Sequence, residues 1–113
     1  MDEVTTLLLD RGFVRLVDKM GTDLTVVNAA RVSMGKRSSY NPDGSFKEED
    51  QKLLKFLAKE NHWTPYAHPQ LQFHIKSPIF VRTQLFKHKV GLVENEISRR
   101  YVTDEPEFYV ARW

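Results

Sequence analysis

The segment Gln70–Lys76 (QLQFHIK) constrains the fold more than any other part of this chain. Its residues alternate strictly between polar and apolar, so the two sets face opposite ways along an extended chain. Such alternation is typical of a strand with one buried face, as in many antiparallel sheets. The preceding residues 62–69 (HWTPYAHP) contain two prolines, and we expect them to be irregular. The apolar face of the predicted strand consists of Leu71, Phe73 and Ile75, and the polar face of Gln72, His74 and Lys76.

A capping signal predicts a long helix in the middle of the chain. Ser45 and Glu48 have the spacing of a capping box, which places the helix at about Phe46–Lys59. Acidic residues in the first turn and lysines near the end agree with the helix dipole. The expected buried stripe consists of Leu53, Leu54, Leu57 and Ala58.

Two further helices are predicted. Ser77 followed by proline fits an N-cap and first helical position, so a helix should span Pro78 to about Lys89 and end near Gly91. A shorter helix is expected from Leu24 to about Arg31, capped by Thr22 or Asp23. The face of this short helix that should be buried carries Leu24, Val27 and Ala30.

The remaining segments are predicted as one strand, one turn and loops. Gly12–Val17 reads as a strand, residues 18–21 as a turn, and residues 35–44 and 94–101 as loops. The tail, residues 102–113, ends on an aromatic residue and needs a surface to pack on. The elements together predict an α+β fold in a single domain, residues 1–113. A small, largely antiparallel sheet should pack against two or three helices.

Composition excludes several classes of site. The chain has no cysteine, which excludes disulfides, thiolate nucleophiles and cysteine-ligated metals. No histidine pair has the spacing of a known metal motif, so no metal site is expected. The net charge of +2 is too small to indicate nucleic-acid binding from bulk charge. The acidic N-terminus does not resemble a signal peptide and no apolar run has the length of a membrane span. We therefore expect a cytoplasmic protein with neither a membrane nor a nucleic acid as its partner.

Basic and polar side chains concentrate between Arg82 and Arg100. At helical spacing Gln84, Lys87 and His88 share one face of the predicted helix. Cationic side chains near a serine hydroxyl and loop amides can bind a phosphate. Charge patterning alone more often marks a solvated helix end, and the same cluster would also suit a small nucleic-acid-binding protein.

Histidines and aromatic residues offer weaker indications. His68 lies in the proline-containing loop, where it could meet a ligand, whereas His74 falls on the polar face of the predicted strand. Trp63, Tyr66 and Phe73 could stack on a flavin or a base. On the residues alone, each of these side chains is better explained by a structural role.

The run Gln84–Tyr101 (QLFKHKVGLVENEISRRY) resembles the signature of the flavin-dependent thymidylate synthase family. That signature is Arg-His-Arg, a short spacer and Ser, usually followed by Arg-Tyr. Here Lys87-His88-Lys89 stands in the first position, eight residues follow, and Ser98 comes next. Lysine keeps the charge of arginine but not its planar, bidentate fork. The flanking segments Leu9–Ser33 and Thr64–Phe80 resemble the family in the same order.

The resemblance implies an activity and its partners. The family transfers a methylene group from methylenetetrahydrofolate to dUMP and so makes dTMP. NADPH reduces FAD, and the reduced flavin supplies the hydride, so the cofactor carries the redox chemistry and the protein positions it. The family forms homotetramers with active sites at subunit interfaces, which implies a homo-oligomer here.

The resemblance also implies roles for individual residues, although no catalytic residue is assigned. Residues expected to bind the FAD are His68, Gln70, Lys87, His88, Lys89 and Glu96. Residues expected to bind dUMP are Gln84, Lys87, Glu96, Ser98, Arg99 and Arg100, with Ser98 and an arginine near the phosphate.

Family members are longer than this chain, and their additional part resembles a helical region with further dUMP and flavin contacts. Three interpretations follow. The chain is a short form of the enzyme, or one part of a split enzyme that a second chain completes. Alternatively, it is a non-catalytic nucleotide-binding or assembly module derived from the family.

Overall fold

Three strands and three α-helices make up the regular structure of residues 4–8 and 11–111, the part of the chain that the computed structural model describes. The strands are β1 (Val4–Leu8), β2 (Gly12–Met20) and β3 (Gln70–Lys76). They form one antiparallel sheet in the order β1-β2-β3. The helices are α1 (Asp23–Arg31), α2 (Glu48–Lys59) and α3 (Ile79–Leu85), with short 3₁₀ helices at Val32–Met34 and Pro65–Ala67. The predicted α+β class is confirmed.

The chain divides into two compact units. The described residues of the first are 4 and 15–73, which include α1 and α2. Those of the second are 5–8, 11–14 and 74–111, which include α3 and the loop after it. The single domain inferred from the sequence stays a prediction.

Helix α1 begins at Asp23, one residue before the predicted start, and packs more broadly than predicted. The Thr22 hydroxyl accepts a hydrogen bond from the Leu24 amide at 3.2 Å, and the Thr25 hydroxyl accepts one from the Thr22 amide at 3.0 Å. This reciprocal cap confirms Thr22 as the N-cap. Val26 and Val27 are buried. Val26 lies outside the predicted stripe. It is buried because α1 packs against both α2 and the 3₁₀ helix Pro65–Ala67, which widens the buried face of α1.

Helix α2 ends at Lys59 as predicted but begins at Glu48 without a side-chain cap. The predicted capping box at Ser45 is wrong, because a local turn uses that serine. Both the amide and the hydroxyl of Ser45 donate to an Asp43 carboxylate oxygen, at 2.9 and 2.6 Å. Such local bonds compete with helix capping. In the expected stripe Leu57 is buried, Leu53 and Leu54 are half-buried, and Ala58 is exposed.

The strands depart from the prediction in three ways. β1 was not predicted. β2 runs on to Met20 and Gly21 is irregular, so the predicted turn at residues 18–21 is wrong. β3 has the predicted bounds, yet all its residues are exposed, with Leu71 63% and Phe73 48% accessible. Alternation predicts which side chains share a face, but not whether a second layer covers that face.

Helix α3 is shorter than predicted, and residues 87–89 lie beyond it. Pro78, and not Ser77, is the N-cap. After Phe86 the α-helical hydrogen-bond pattern stops. The Lys87 amide donates to the Gln84 carbonyl, three and not four residues back, at 3.3 Å. The His88 amide likewise bonds to the Leu85 carbonyl, three residues back, at 3.2 Å, so turns replace the last part of the predicted helix. The predicted helical face shared by Gln84, Lys87 and His88 is therefore wrong.

The predicted loops are confirmed and the tail finds partners. Residues 35–44 contain the predicted turn, closed by the Gly44 amide on the Asn41 carbonyl at 2.8 Å. Residues 94–101 contain neither helix nor strand. In the tail, Glu107 pairs with Lys76 at 2.5 Å, and the Tyr109 ring meets Phe80 with centroids 5.4 Å apart. Residues 112 and 113, the end of the predicted tail, lie outside the described residues.

Candidate flavin groove and nucleotide loop

An open groove of about 520 Å³ lies in the first unit, between α1, α2 and residues 61–65. Its walls combine apolar and polar groups. Such a surface can contact a planar organic ligand, because apolar side chains cover a ring face and polar groups orient its edge. The lining residues are Ala29, Ala30, Ser33, Met34, Leu53, Leu57, Asn61, His62, Trp63, Thr64 and Pro65.

A buried ion pair holds together the two helices that wall the groove. Arg31 of α1 donates to the fully buried carboxylate of Asp50 of α2 at 2.6 Å. The Ser38 hydroxyl donates to the other Asp50 oxygen, and the Ser38 amide donates to the Asn28 side chain at 2.7 Å. Burial would raise the pKa of Asp50. The Ser38 and Arg31 hydrogen bonds and the charges of Arg31 and Lys47 outweigh that effect and lower the pKa below its ordinary value.

The residues that follow the end of α2 line the groove, among them Asn61, His62 and Trp63. Asn61 has a positive φ of 55°, a conformation that asparagine tolerates better than most residues. The His62 amide donates to the Leu57 carbonyl at 2.9 Å and the Asn61 amide to Ala58 at 3.2 Å. These two bonds form a Schellman motif, which reverses the chain at the helix end. The following Trp63 side chain remains 64% exposed at the groove.

Two predicted flavin contacts, His68 and Gln70, lie in the same unit. The Tyr66 hydroxyl donates to the Leu54 carbonyl of α2 at 2.7 Å, which fixes the 3₁₀ helix Pro65–Ala67. His68 ends this 3₁₀ helix, and Gln70 is the first residue of β3. Both side chains are exposed, and neither lines the groove.

The other predicted site residues belong to the second unit. Gln84 is in α3, and Lys87, His88 and Lys89 follow it in exposed turns. Glu96 and residues 98–100 lie in the loop 94–101, which we call the nucleotide loop. Within the described part of the chain Lys87, Lys89 and Arg100 have no carboxylate partner within 4.0 Å.

Hydrogen bonds shape the nucleotide loop. The half-buried Ser98 closes a turn, because its carbonyl accepts from the amides of Tyr101 at 3.0 Å and Val102 at 3.1 Å. Its hydroxyl accepts from the Arg100 amide at 3.3 Å. The Arg99 guanidinium donates to the Asp104 carbonyl at 2.6 Å, so Arg99 ties the loop to the residues that follow it.

The structure brings to the groove and the loop some residues that the sequence did not single out. Ser33, His62 and Thr64 line the groove, although the sequence favoured His68. No local pattern groups Ser33 with Thr64, because the two come together only when the helices pack. Arg82 pairs with Glu96 at 3.1 Å, a contact that no local pattern indicates. Among the described residues no three carboxylate or histidine side chains gather where they could hold a metal ion.

Comparison with known proteins places these features in a family. Residues 15–113 match the family model of the thymidylate synthase complementing protein. The flavin-dependent thymidylate synthase of Thermosipho africanus is 46% identical over 103 residues, 91% of this chain and 42% of that protein. The enzyme of the same name from Thermus thermophilus is 43% identical over 106 residues, 94% of this chain and 37% of that protein. The chain thus spans less than half the length of these curated relatives.

A solved structure shows the same fold. It is a UMP/dUMP methylase, PolB, from Streptomyces cacaoi, bound with 5-Br dUMP. The superposition has a TM-score of 0.57 and 32% sequence identity, and covers 69% of this chain and 32% of that one. The family match extends over most of the sequence, including the groove-lining residues and the nucleotide loop. The chain belongs to the thymidylate synthase complementing protein family.

Proposed function

We propose that this chain is the FAD- and dUMP-binding part of a flavin-dependent thymidylate synthase. The reaction methylates dUMP to dTMP, with the methylene group from methylenetetrahydrofolate and the hydride from NADPH through FAD. The observation that carries the proposal is the match of residues 15–113 to the family. The activity named for the relatives supports an enzymatic role, as part of a methyltransferase.

The proposed dUMP site comprises the end of α3 and the nucleotide loop. The exposed, unpaired charges of Lys87 and Arg100 suit a phosphate, and the Ser98 hydroxyl offers a further hydrogen bond. The exposed amide of Gln84 can both donate and accept, as the edge of a pyrimidine requires. Arg99 and Glu96 complete the proposed set, Arg99 mainly by holding the loop to Asp104.

The groove of the first unit suits the flavin ring of FAD. The exposed Trp63 ring can stack on a planar ring, and the hydroxyls of Ser33 and Thr64 can hydrogen-bond to its polar edge. When bound, FAD supplies the redox step by passing the hydride from NADPH to the nucleotide. His68 and Gln70 remain proposed flavin contacts in this unit. In the second unit the proposed flavin contacts are Lys87, His88, Lys89 and Glu96.

Assembly and location are part of the same proposal. By family resemblance we propose a homotetramer, with a second chain or subunit completing the active site, in the cytoplasm. The exposed apolar residues of the second unit support an assembly, since Val93 is 96% and Tyr101 83% accessible. Within the described residues no helix has the length and hydrophobicity needed to cross a membrane.

Calorimetric titration with dUMP tests the nucleotide site. We expect Lys87→Ala and Ser98→Ala each to weaken binding about tenfold, because each removes one hydrogen bond to a charged ligand. Lys52→Ala, which removes an exposed lysine from α2, is the matched control and should bind like the wild type. If both site variants bind dUMP with the affinity of the wild type, dUMP does not bind at this position. Turnover of dUMP by the chain, when all substrates and FAD are present, would exclude the non-catalytic nucleotide-binding module.

A further inference from the structure

We propose that Arg82 is a positioning residue that holds the nucleotide loop in its binding conformation through Glu96. This inference rests on the proposed function, because the loop matters only if it binds a ligand. Arg82 lies in α3 and outside the run that resembles the family signature.

The other hydrogen bonds of the nucleotide loop are local. The Ser98 carbonyl bonds to Tyr101 and Val102, and the Ser98 hydroxyl bonds to Arg100. Arg99 reaches only to Asp104. These contacts define the shape of the turn but do not fix its position relative to the rest of the second unit.

The Arg82–Glu96 ion pair fixes the position of the nucleotide loop relative to α3. Arg82 Nε lies 3.1 Å from a carboxylate oxygen of Glu96. Among the hydrogen bonds and ion pairs of the described residues, this pair is the one that connects the loop to a helix. The same helix carries Gln84, so the pair sets the position of the loop relative to another proposed nucleotide contact.

The Arg82–Glu96 pair also determines the charge that the loop presents to a ligand. An unpaired Glu96 carboxylate would repel a phosphate that the nearby cations attract. Its pairing with Arg82 offsets that charge and leaves the charges of Lys87 and Arg100 to act on the ligand. The pair is partly exposed, with side-chain accessibilities of 36% and 56%. Exposed pairs contribute little to folding stability, so substitution of Arg82 should leave the protein folded.

The test combines amide hydrogen exchange with dUMP titration on the whole chain. In Arg82→Ala the Tyr101 and Val102 amides should exchange faster than in the wild type, because the loop loses its anchor. The dissociation constant for dUMP should rise about fivefold to tenfold, since the loop must then be ordered on binding. Arg82→Lys keeps the charge and should give intermediate values for both. Lys76→Ala removes another ion pair of the second unit and should change neither.

Each outcome bears on the proposal. If dUMP affinity and amide exchange are the same in Arg82→Ala and in the wild type, Arg82 does not position the loop. If Lys76→Ala weakens dUMP binding as much as Arg82→Ala, the effect is a general loosening of the unit and the proposal is wrong. If the wild type does not bind dUMP, the nucleotide function fails. Amide exchange then decides alone, and exchange unchanged by Arg82→Ala rejects the anchor as well.

Discussion

At the scale of single residues, Asp50 shows how the first unit tolerates a buried charge. Arg31 and Ser38 occupy both oxygens of a carboxylate that has no contact with water. The cost of removing that charge from water is offset only while both partners remain. The network joins α1, α2 and the loop between them, and therefore fixes the walls of the proposed flavin groove.

Asp50→Asn should destabilise the protein by about 3 kcal/mol at neutral pH, because it leaves the Arg31 guanidinium without its counter-charge. Urea unfolding followed by circular dichroism measures the loss. Glu49→Gln is the matched control, since Glu49 is an exposed carboxylate in the same helical turn. A loss of similar size in both variants would mean that helix charge, and not the buried pair, is responsible.

The difference in stability between the wild type and Asp50→Asn should depend on pH. The pKa of Asp50 lies below its ordinary value of 3.8 in the folded protein. Its contribution is therefore fully present above about pH 4 and is lost as the pH falls through the folded pKa. The stability difference between wild type and Asp50→Asn should shrink over this acid range. A difference that stayed constant down to about pH 2 would contradict the assignment.

At the scale of elements, the sequence predicted what depends on local pattern. The bounds of β3, the end of α2 and the cap at Thr22 follow from alternation, periodicity and side-chain geometry, and the structure has them. The end of α3 and the start of α2 depend on competing contacts that no local pattern records. Ser45 bonds to Asp43 and does not cap α2, and turns closed by the Lys87 and His88 amides end α3.

The uncapped start of α2 gives a prediction at this scale. Lys47 occupies the N-cap position with an extended backbone and no side-chain hydrogen bond to the helix. Lys47→Ser should stabilise the protein by about 0.5 kcal/mol, because a bond from a free amide of the first turn outweighs the lost attraction between Lys47 and Asp50. Lys52→Ser, within the same helix, should destabilise it slightly through lower helix propensity. Thermal unfolding that shifts both variants in the same direction would argue against the cap.

At the scale of the whole molecule, only part of the candidate site can be predicted from the sequence. The basic run Lys87–Lys89 and the loop carrying Ser98 were recognisable because a family signature lies along continuous chain. The groove was not, because Ser33 and Thr64 come together only when α1 packs on α2. The Arg82–Glu96 pair likewise joins residues that the sequence separates. Sites on one segment are therefore predictable from the sequence, whereas sites made by packing require the fold.

The most direct measurement of the central claim is the visible absorption spectrum after incubation with FAD and dUMP and subsequent desalting. The wild type should retain flavin absorption, and Trp63→Leu should retain much less, because the stacking surface of the groove is lost. Phe108→Leu, another exposed aromatic, is the control and should retain flavin like the wild type. A folded wild-type protein that emerges without flavin would contradict the account, and equal retention in Trp63→Leu would place the flavin elsewhere.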